Sequence, residues 1–281
     1  MAATALEPVS PPAEPTVIRP TKHRIKFSDL WTTRGVAKML GLRDVKVKYK
    51  QAALGPLWLV IAPLGMLAAV SIAFSGVTDV NTSGIPYVVF ALTGLCVWTY
   101  IQLSLTIGTQ ALIGNATLVR RSPLPRLAFL TGSMIGNLPP FLSLLGFTVA
   151  GTLAFHHLPI QALLLPFAIA WLFLFTLATM LLLASLSVRF RDMISAMPLI
   201  IQAGIFVSPV AYSLQGAPSN IHTFLIINPV SGLIEAWRWT LLGLPDPNVP
   251  SMIVAAIWTV VLLVVGWRVF GRMEVEFADY V

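Results

Sequence analysis

The stretch "RDVKVKYKQAALGPLW" (43–58) leads directly into a long apolar run. Val45, Val47 and Tyr49 alternate with lysines, which is the period of a half-buried β-strand. A lone strand beside a membrane would leave its backbone groups without partners, whereas a helix satisfies them internally. On a helix, Leu42, Val45 and Tyr49 share one face. The pattern therefore predicts an amphipathic helix that lies in a membrane interface.

The chain before the first span divides into two predicted segments. Residues 1–26 are rich in Pro, Ala and Glu and are predicted to form a disordered tail. Residues 27–55 are predicted to form the interfacial helix on the cytoplasmic side, and Gly55-Pro56 turns the chain into the first span. A solvated basic linker is the alternative for the same residues.

The composition indicates a protein embedded in lipid. Of the 281 residues, 57% are hydrophobic and 10% are charged, whereas a soluble domain carries roughly 25% charged residues. The net charge is +7, and ten of the 18 basic residues precede residue 51. At that position they favour anionic membrane lipids, and nucleic acid is not an expected partner.

The apolar runs predict an all-α integral membrane protein with six transmembrane helices, because a span needs roughly 20 apolar residues. The predicted spans are 56–77, 86–107, 127–155, 160–188, 193–214 and 251–269. They form a membrane domain over 56–270, followed by a cytoplasmic tail over 271–281. Asn137 precedes Pro139-Pro140, which predicts a kink in the third helix.

A seventh apolar stretch, 224–244, contains Asn228-Pro229, Glu235 and Arg238, which are costly on a lipid-facing helix. With six spans and a cytoplasmic N-terminus, 17 of the 18 basic residues lie inside and only Arg238 lies outside. A seventh span would move two more arginines outside, against the positive-inside rule. We therefore predict re-entrant or interfacial short helices on the outer side, between the fifth and sixth spans, with both termini cytoplasmic.

Several kinds of chemistry are absent from the sequence. Apart from Arg268 at the inner end of the sixth, the predicted spans contain no Asp, Glu, Lys or Arg, although proton-coupled carriers usually need an ionisable group at membrane depth. The chain has one cysteine, Cys96, and the adjacent His156 and His157 have poor ligand spacing. It contains no G-x-x-x-x-G-K-[ST] loop for ATP. No catalytic site, metal site or cofactor is therefore expected on this chain.

Five segments together resemble the membrane subunit of ABC-2-type exporters, in the branch that exports lipid-linked polysaccharides and teichoic acids. The opening stretch is similar to that branch's interfacial helix. "NATLVRRSPLPRLAFL" (115–130) resembles its first inner loop, and "FRD" (190–192) its second. "SPVAY" (208–212) and "NPVSGLIEAWRWTLLG" (228–243) are similar to its outer region. The resemblance covers about 43–272.

The resemblance implies an assembly in the bacterial cytoplasmic (inner) membrane. Two copies of the chain would form a homodimer and would pair with two separate P-loop ATPase subunits, which carry the ATP and Mg²⁺. A lipid-linked cell-surface polysaccharide would pass through a channel at the homodimer interface. O-antigen, teichoic acid and galactan exporters share this pattern, so the sequence does not identify the exported polymer.

Two inner elements and one charged turn are candidates for ATPase coupling. The candidates are Arg43, Asp44, Lys46, Tyr49, Asn115, Leu118, Arg120, Arg121, Arg126, Arg189, Arg191 and Asp192. For the arginines of the first loop, topology control by positive charge is the alternative. For Asp192, a local contact with an arginine that caps the next helix is the alternative.

Aromatic side chains are candidates for the substrate path, because sugar rings stack their C–H faces on aromatic rings. The candidates are Trp58, Tyr87, Trp98, Tyr100, Phe206 and Tyr212. The alternative is the general enrichment of Trp and Tyr at membrane interfaces. Glu235 and Arg238, spaced i, i+3, are expected to form an ion pair in the outer region.

Two other functions stay open at this point. An ABC-2 drug or lipid exporter would share the same membrane architecture. An integral membrane transferase acting on lipid carriers would need a catalytic acid near the membrane, and Glu235 is the weak candidate for it.

Overall fold

The computed structural model describes residues 28–50, 52–74, 82, 84–121, 124–155, 157–216 and 219–273. The side chains of Phe74, Arg120, Arg121 and Ser219 are outside this description. The predicted tail over 1–26, the end of the first span beyond Phe74 and the chain after Met273 also lie outside the described residues.

The described part of the chain is helical and contains no β-strand. Its helices are α1 (Ser28–Thr32), α2 (Arg34–Lys50), α3 (Trp58–Phe74), α4 (Tyr87–Gly114), α5 (Ala116–Arg121), α6 (Leu127–Gly136), α7 (Leu138–Phe155), α8 (Leu165–Arg189), α9 (Asp192–Val207), α10 (Ser219–Ile227), α11 (Pro229–Leu242) and α12 (Val249–Met273). Short 3₁₀ turns, Gly55–Leu57 and Ile160–Leu164, precede α3 and α8.

Among the described residues, five helical stretches are long and apolar enough to cross a membrane. They are Gly55–Ala73, Tyr87–Gly114, Leu127–Phe155, Ile160–Arg189 and Val249–Met273. These match five of the six predicted spans. The remaining predicted span, 193–214, corresponds to α9, which has 16 residues and ends at Val207. Pro209 explains the early end, because it restricts Ser208 to the extended conformation found there, with φ −107° and ψ 145°.

α4 is the central helix of the bundle. Residues 89–98 are buried without exception, since α3, α6, α7, α8, α9 and α11 all pack against α4. α12 packs against α8 and α11. A helix that is apolar on all sides is expected at the centre of a bundle, because none of its faces is suited to contact with a polar solvent.

The third span is broken at Asn137, where the proline pair predicts a kink. α6 ends at Gly136 and α7 begins at Leu138, with Asn137 between them at φ −98° and ψ 4°. The Asn137 N–H is shared by the carbonyls of Ser133 and Met134, both at 3.2 Å. Pro140 has no N–H to continue the ladder, so the helix must restart here.

α2 packs against α6 through a face that differs from the predicted apolar face. Its buried residues are Ala37, Leu40 and Gly41, whereas Leu42 of the predicted apolar face is 46% exposed. A Cβ added to Gly41 would lie 2.7 Å from the carbonyl oxygen of Gly132. The two backbones are therefore in direct contact, as they are at small-residue crossings of membrane helices.

This crossing predicts the effect of one added methyl group. We expect Gly41→Ala to destabilise the protein by about 1–3 kcal/mol, because the new Cβ meets backbone that has no room to move. The measurement is the thermal unfolding midpoint of the purified full chain in a neutral detergent.

Gly35→Ala is the matched control in the same helix. A Cβ at Gly35 meets nothing within 4 Å, so this change should leave the midpoint unchanged or raise it slightly, by at most about 1 kcal/mol in stability. Equal midpoints for the two variants would show that α2 does not depend on the crossing.

Candidate functional site

The antiparallel run of the helices gives the bundle two ends. The basic end carries α2, the 115–126 connection, the 189–192 turn and the end of α12. The opposite end carries the 155–165 and 208–216 connections and the start of α12. Most of the predicted coupling residues fall at the first end, and the predicted ion pair lies toward the second.

At the basic end, Arg43 joins two of the predicted coupling elements. Its Nη2 donates to the Asn115 Oδ1 at 3.2 Å, and its Nε and Nη2 donate to the Asp44 Oδ1 at 3.1 and 2.9 Å. The Asn115 amide in turn donates to the carbonyl of Ala111 at 2.8 Å. The Arg43–Asn115 hydrogen bond therefore links α2 to the junction between α4 and α5. A displacement of one element would be passed to the other through this contact.

The other candidates at this end are mostly exposed. The exposed ones are Lys46, Leu118, Arg189, Arg191 and Asp192, and no side chain caps the start of α9 among the described residues. The Arg189 guanidinium lies 5.7 Å from the ring of Phe190. The Nε of Arg126 is instead buried and has no hydrogen-bond partner in the part of the chain that the structure describes. The exposed charges are available to a partner.

Trp58 and Trp98 line one groove of about 520 Å³ between α2, α3 and α4. The polar residues that line it with them are Lys48, Tyr49, Thr99 and Gln102. The rest of its lining is apolar. Stacking surfaces, a few hydrogen-bonding groups and one cation thus share a concave site, which is the usual make-up of a binding site.

Lys48 contributes the positive charge of this groove. Its ammonium lies 5.6 Å from the ring of Tyr49. Burial lowers the pKa of Lys48 and raises the pKa of the Tyr49 hydroxyl. In both cases the cause is the loss of water around the charged form. Lys48 is nevertheless exposed, and within the described residues no carboxylate forms an ion pair with it, so its ammonium is accessible to an anion.

Trp98 also lines a second groove, of about 570 Å³, between α8, α9 and α12. The lining of this groove is almost wholly apolar. Trp98 is 5% exposed, and a Cβ at Gly204 of α9 would lie 2.6 Å from its ring. The indole of Trp98 is therefore part of the wall of both grooves.

The remaining aromatic candidates lie elsewhere. Tyr100 is buried, and its ring stacks on Phe173 at 4.7 Å between centroids. The Tyr87 hydroxyl donates to the Ala211 carbonyl at 3.0 Å, and the Tyr212 hydroxyl donates to the Phe206 carbonyl at 3.3 Å. Phe206 is 73% exposed. The structure therefore brings together only Trp58 and Trp98 in the groove, and gathers Tyr87 and Tyr212 near the opposite end.

α11 has clear start and stop signals. Asn228 is its N-cap, with Oδ1 accepting from the Val230 N–H at 3.0 Å, and Pro229 occupies the first helical position. Gly243 ends the helix in the left-handed conformation, at φ 64° and ψ 31°. Residues 231–238 are all buried, so this helix is inserted into the bundle.

The Arg238 guanidinium is completely buried and has several partners. It donates to the Val210 carbonyl at 2.8 Å, the Tyr212 carbonyl at 3.1 Å and the Thr93 hydroxyl at 3.3 Å. It also lies 3.7 Å from the centroid of the Phe90 ring. Its Nη1 is 3.8 Å from the Oε1 of Glu235. One side chain of α11 thus fixes the 208–216 turn against α4.

Sequence reasoning missed the polar residues of the groove. Lys48, Thr99 and Gln102 are not among the candidate residues of the sequence analysis. The i, i+3 spacing of Thr99 and Gln102 places them on one side of α4. Two polar side chains spaced in this way within an apolar span were the available signal.

The chain matches a family model across its bundle. The model described as ABC-2 type transporter matches residues 36–242. The chain belongs to this family of transporter membrane domains, whose members generally work with an ATPase partner. It is a multi-pass membrane permease.

The curated relatives are named for one transport system. A protein of Klebsiella pneumoniae, O-antigen export system permease protein RfbA, is 24% identical over 239 residues, which cover 84% of this chain and 91% of the relative. A protein of the same name from Myxococcus xanthus is 27% identical over 256 residues, which cover 89% of this chain and 97% of the relative. With the family, these names make the chain a transport subunit and not an enzyme. The transferase alternative is thereby set aside.

The burial of Arg238 predicts an unequal effect for two substitutions. Arg238→Met should cost about 3–5 kcal/mol, because it leaves Glu235 buried without its counter-charge. Glu235→Gln should cost less, since the three hydrogen bonds of the guanidinium remain. Thermal unfolding of the purified variants measures both effects.

The double variant completes this test. Removing both charges leaves no unpaired buried ion, so the double variant should be less destabilised than the sum of the single ones. If Arg238→Met melted no earlier than Glu235→Gln, the guanidinium would have no part in holding the 208–216 turn.

Proposed function

We propose that this chain is the permease subunit of an ATP-driven exporter that moves a lipid-linked cell-surface polysaccharide across the bacterial cytoplasmic membrane. Two copies form a homodimer, and the polysaccharide passes through a channel between them. Two P-loop ATPase subunits bind at the basic end and carry the ATP and Mg²⁺. O-antigen is the first polymer to test, because the relatives are named for its export.

The groove that holds Trp58 and Trp98 carries this proposal. The exposed indole of Trp58 offers a face on which a sugar ring can stack, the buried Trp98 forms the wall behind it, and Gln102 and Thr99 offer hydrogen bonds to sugar hydroxyls. Trp58 is 45% exposed, so the groove is open to a substrate. The interior of a channel for a polymer needs such repeated weak contacts, because tight binding would stop the movement.

In this proposal the chain crosses the membrane six times. α9, with 16 residues, is about 24 Å long and needs the following turn to complete its crossing. The burial of residues 231–238 supports a re-entrant α11 that enters from the outer side. Both termini and the basic end then face the cytoplasm, in agreement with the positive-inside rule.

The basic end is the proposed docking surface for the ATPases. Arg189, Arg191 and Asp192 are exposed there, and Arg43 ties α2 to Asn115. A force applied to α2 or to the 115–126 connection would reach α6 and α4 through these contacts. This route needs no ionisable group within the spans.

A drug or lipid exporter is the second candidate. The apolar groove of about 570 Å³ favours it, since an amphiphilic molecule could enter there from the membrane. Stimulation of ATP hydrolysis by small amphiphiles, with no response to a lipid-linked polysaccharide, would support this second function over the first.

The first experiment is purification of the tagged full chain from its native host in a mild detergent. Because no ATP-binding loop is present in its sequence, we expect a P-loop ATPase in equimolar amount. Mass spectrometry of the purified complex identifies and quantifies it, and the genes beside that ATPase would indicate the polymer.

An unrelated multi-pass protein tagged and purified in parallel is the control for adventitious binding. If the chain were recovered alone, or with glycan-synthesis enzymes and without an ATPase, the exporter would lack its source of energy. That result would reject the proposed function.

The groove predicts that Trp58→Ala lowers export by about ten-fold with little loss of stability, because an indole face contributes roughly 1 kcal/mol or more and Trp58 is half exposed. Export is measured as polysaccharide that reaches the cell surface. Trp31→Ala is the control, since Trp31 is 71% exposed and does not line the groove. If the two variants lost export to a similar extent, Trp58 would have no specific role in the substrate path.

A further inference from the structure

A separate pocket of about 440 Å³ lies where α2 crosses α4 and the α6–α7 break. Its lining combines three charged side chains with two polar ones and a small apolar remainder. The charged and polar members are Arg43, Asp44, Lys48, Ser133 and Asn137.

The buried wall of this pocket holds a hydrogen-bond donor without an acceptor. Asn137 is 1% exposed, and its Nδ2 has no hydrogen-bond partner among the described residues. The neighbouring Ser133 hydroxyl is engaged, because it donates to the Leu130 carbonyl at 2.8 Å. A buried amide that lacks a partner is costly, so a ligand that accepts its hydrogen bond is favoured.

The charges of the pocket leave one cation without a counter-ion. Arg43 and Asp44 pair with each other at 2.9 Å, and Arg43 is held further by Asn115. Lys48 forms no ion pair in the described part of the chain, and burial lowers its pKa. The site therefore has a net positive charge that comes from Lys48, although the Asp44 carboxylate limits its strength.

We infer that this pocket binds the phosphate group of a membrane lipid through the Lys48 ammonium and the Asn137 amide. A phosphate oxygen accepts strong hydrogen bonds from an ammonium and from an amide. The pocket lies beside the helix that leads into the first span, where lipid headgroups meet the protein. A phosphate on a lipid is thus the anion that has access to it.

Lys48 also connects this pocket to the groove of Trp58 and Trp98, since it lines both. A phosphate held by Lys48 would leave the group attached to it beside the two indoles. On this point the inference rests on the proposed function: the lipid is then the anchor of the exported polysaccharide, and the first sugars lie in the groove.

The test is equilibrium binding of radiolabelled farnesyl phosphate to the purified full chain in a neutral detergent. Lys48→Gln should weaken binding about ten-fold or more, because one charge-assisted contact is lost. Lys48→Arg should restore most of it. Asn137→Asp, which keeps the side-chain shape but adds a negative charge, should also weaken binding in a preparation that remains monodisperse.

Lys46→Gln is the matched control for non-specific attraction to the micelle. Lys46 lies on the same helix and is exposed, as Lys48 is, but it does not line the pocket, so this variant should bind within about two-fold of the unchanged chain. Equal losses in the two glutamine variants, or equal binding of farnesol, would overturn the inference.

Competition identifies the source of the phosphate. Displacement by inorganic phosphate at equal concentration would overturn a lipid ligand. Displacement of farnesyl phosphate by phosphatidylglycerol in the same detergent would support the site and assign it to the headgroups of ordinary phospholipids. If phosphatidylglycerol did not displace farnesyl phosphate, the site would be assigned to the phosphate of a lipid that carries the polysaccharide. The assay needs no ATPase and no transport, so its failure is distinct from a failure of the proposed function.

Discussion

The buried guanidinium of Arg238 determines how the helices meet at the end of the bundle that lies opposite the basic end. A cation in an apolar core is tolerated only when its donors are satisfied. Here the backbone carbonyls of Val210 and Tyr212 and the hydroxyl of Thr93 satisfy them. Those acceptors come from α4 and from the turn after α9, so the charge of α11 requires all three segments to meet.

The two ends of the bundle are built with different interactions. Near the opposite end a desolvated cation fixes one arrangement, because every alternative would leave it without acceptors. At the basic end the charges of Arg189, Arg191 and Asp192 are in water, while α2 is held against α6 by the buried Ala37, Leu40 and Gly41. Exposed ion pairs contribute little energy, so the charged surface of the basic end is the part that can change its partners at low cost.

Apolar length and proline position were enough to predict most of the helices. The break at Asn137 also followed from the prolines after it. The end of α9 was not predicted from apolar length, because apolar residues continue past Val207 whereas Pro209 stops the helix. The packing face of α2 and the acceptors of Arg238 depend on contacts between distant segments. Spacing along one helix carries no information about them, so Gly41, Thr93 and Lys48 were outside the reach of sequence reasoning.

Trp98 gives the central helix a role in both grooves. One face of α4 contributes Thr99 and Gln102 to the groove toward α3, and Trp98 forms part of the wall toward α9. Gly204 has no side chain to separate α9 from the indole, and Pro198 removes a hydrogen bond from the same helix. The indole ring of Trp98 therefore lies between a more polar groove and an apolar one, against a helix whose hydrogen bonding is interrupted by a proline. A substrate with a polar head and an apolar tail would find a separate surface for each on the two sides of this ring.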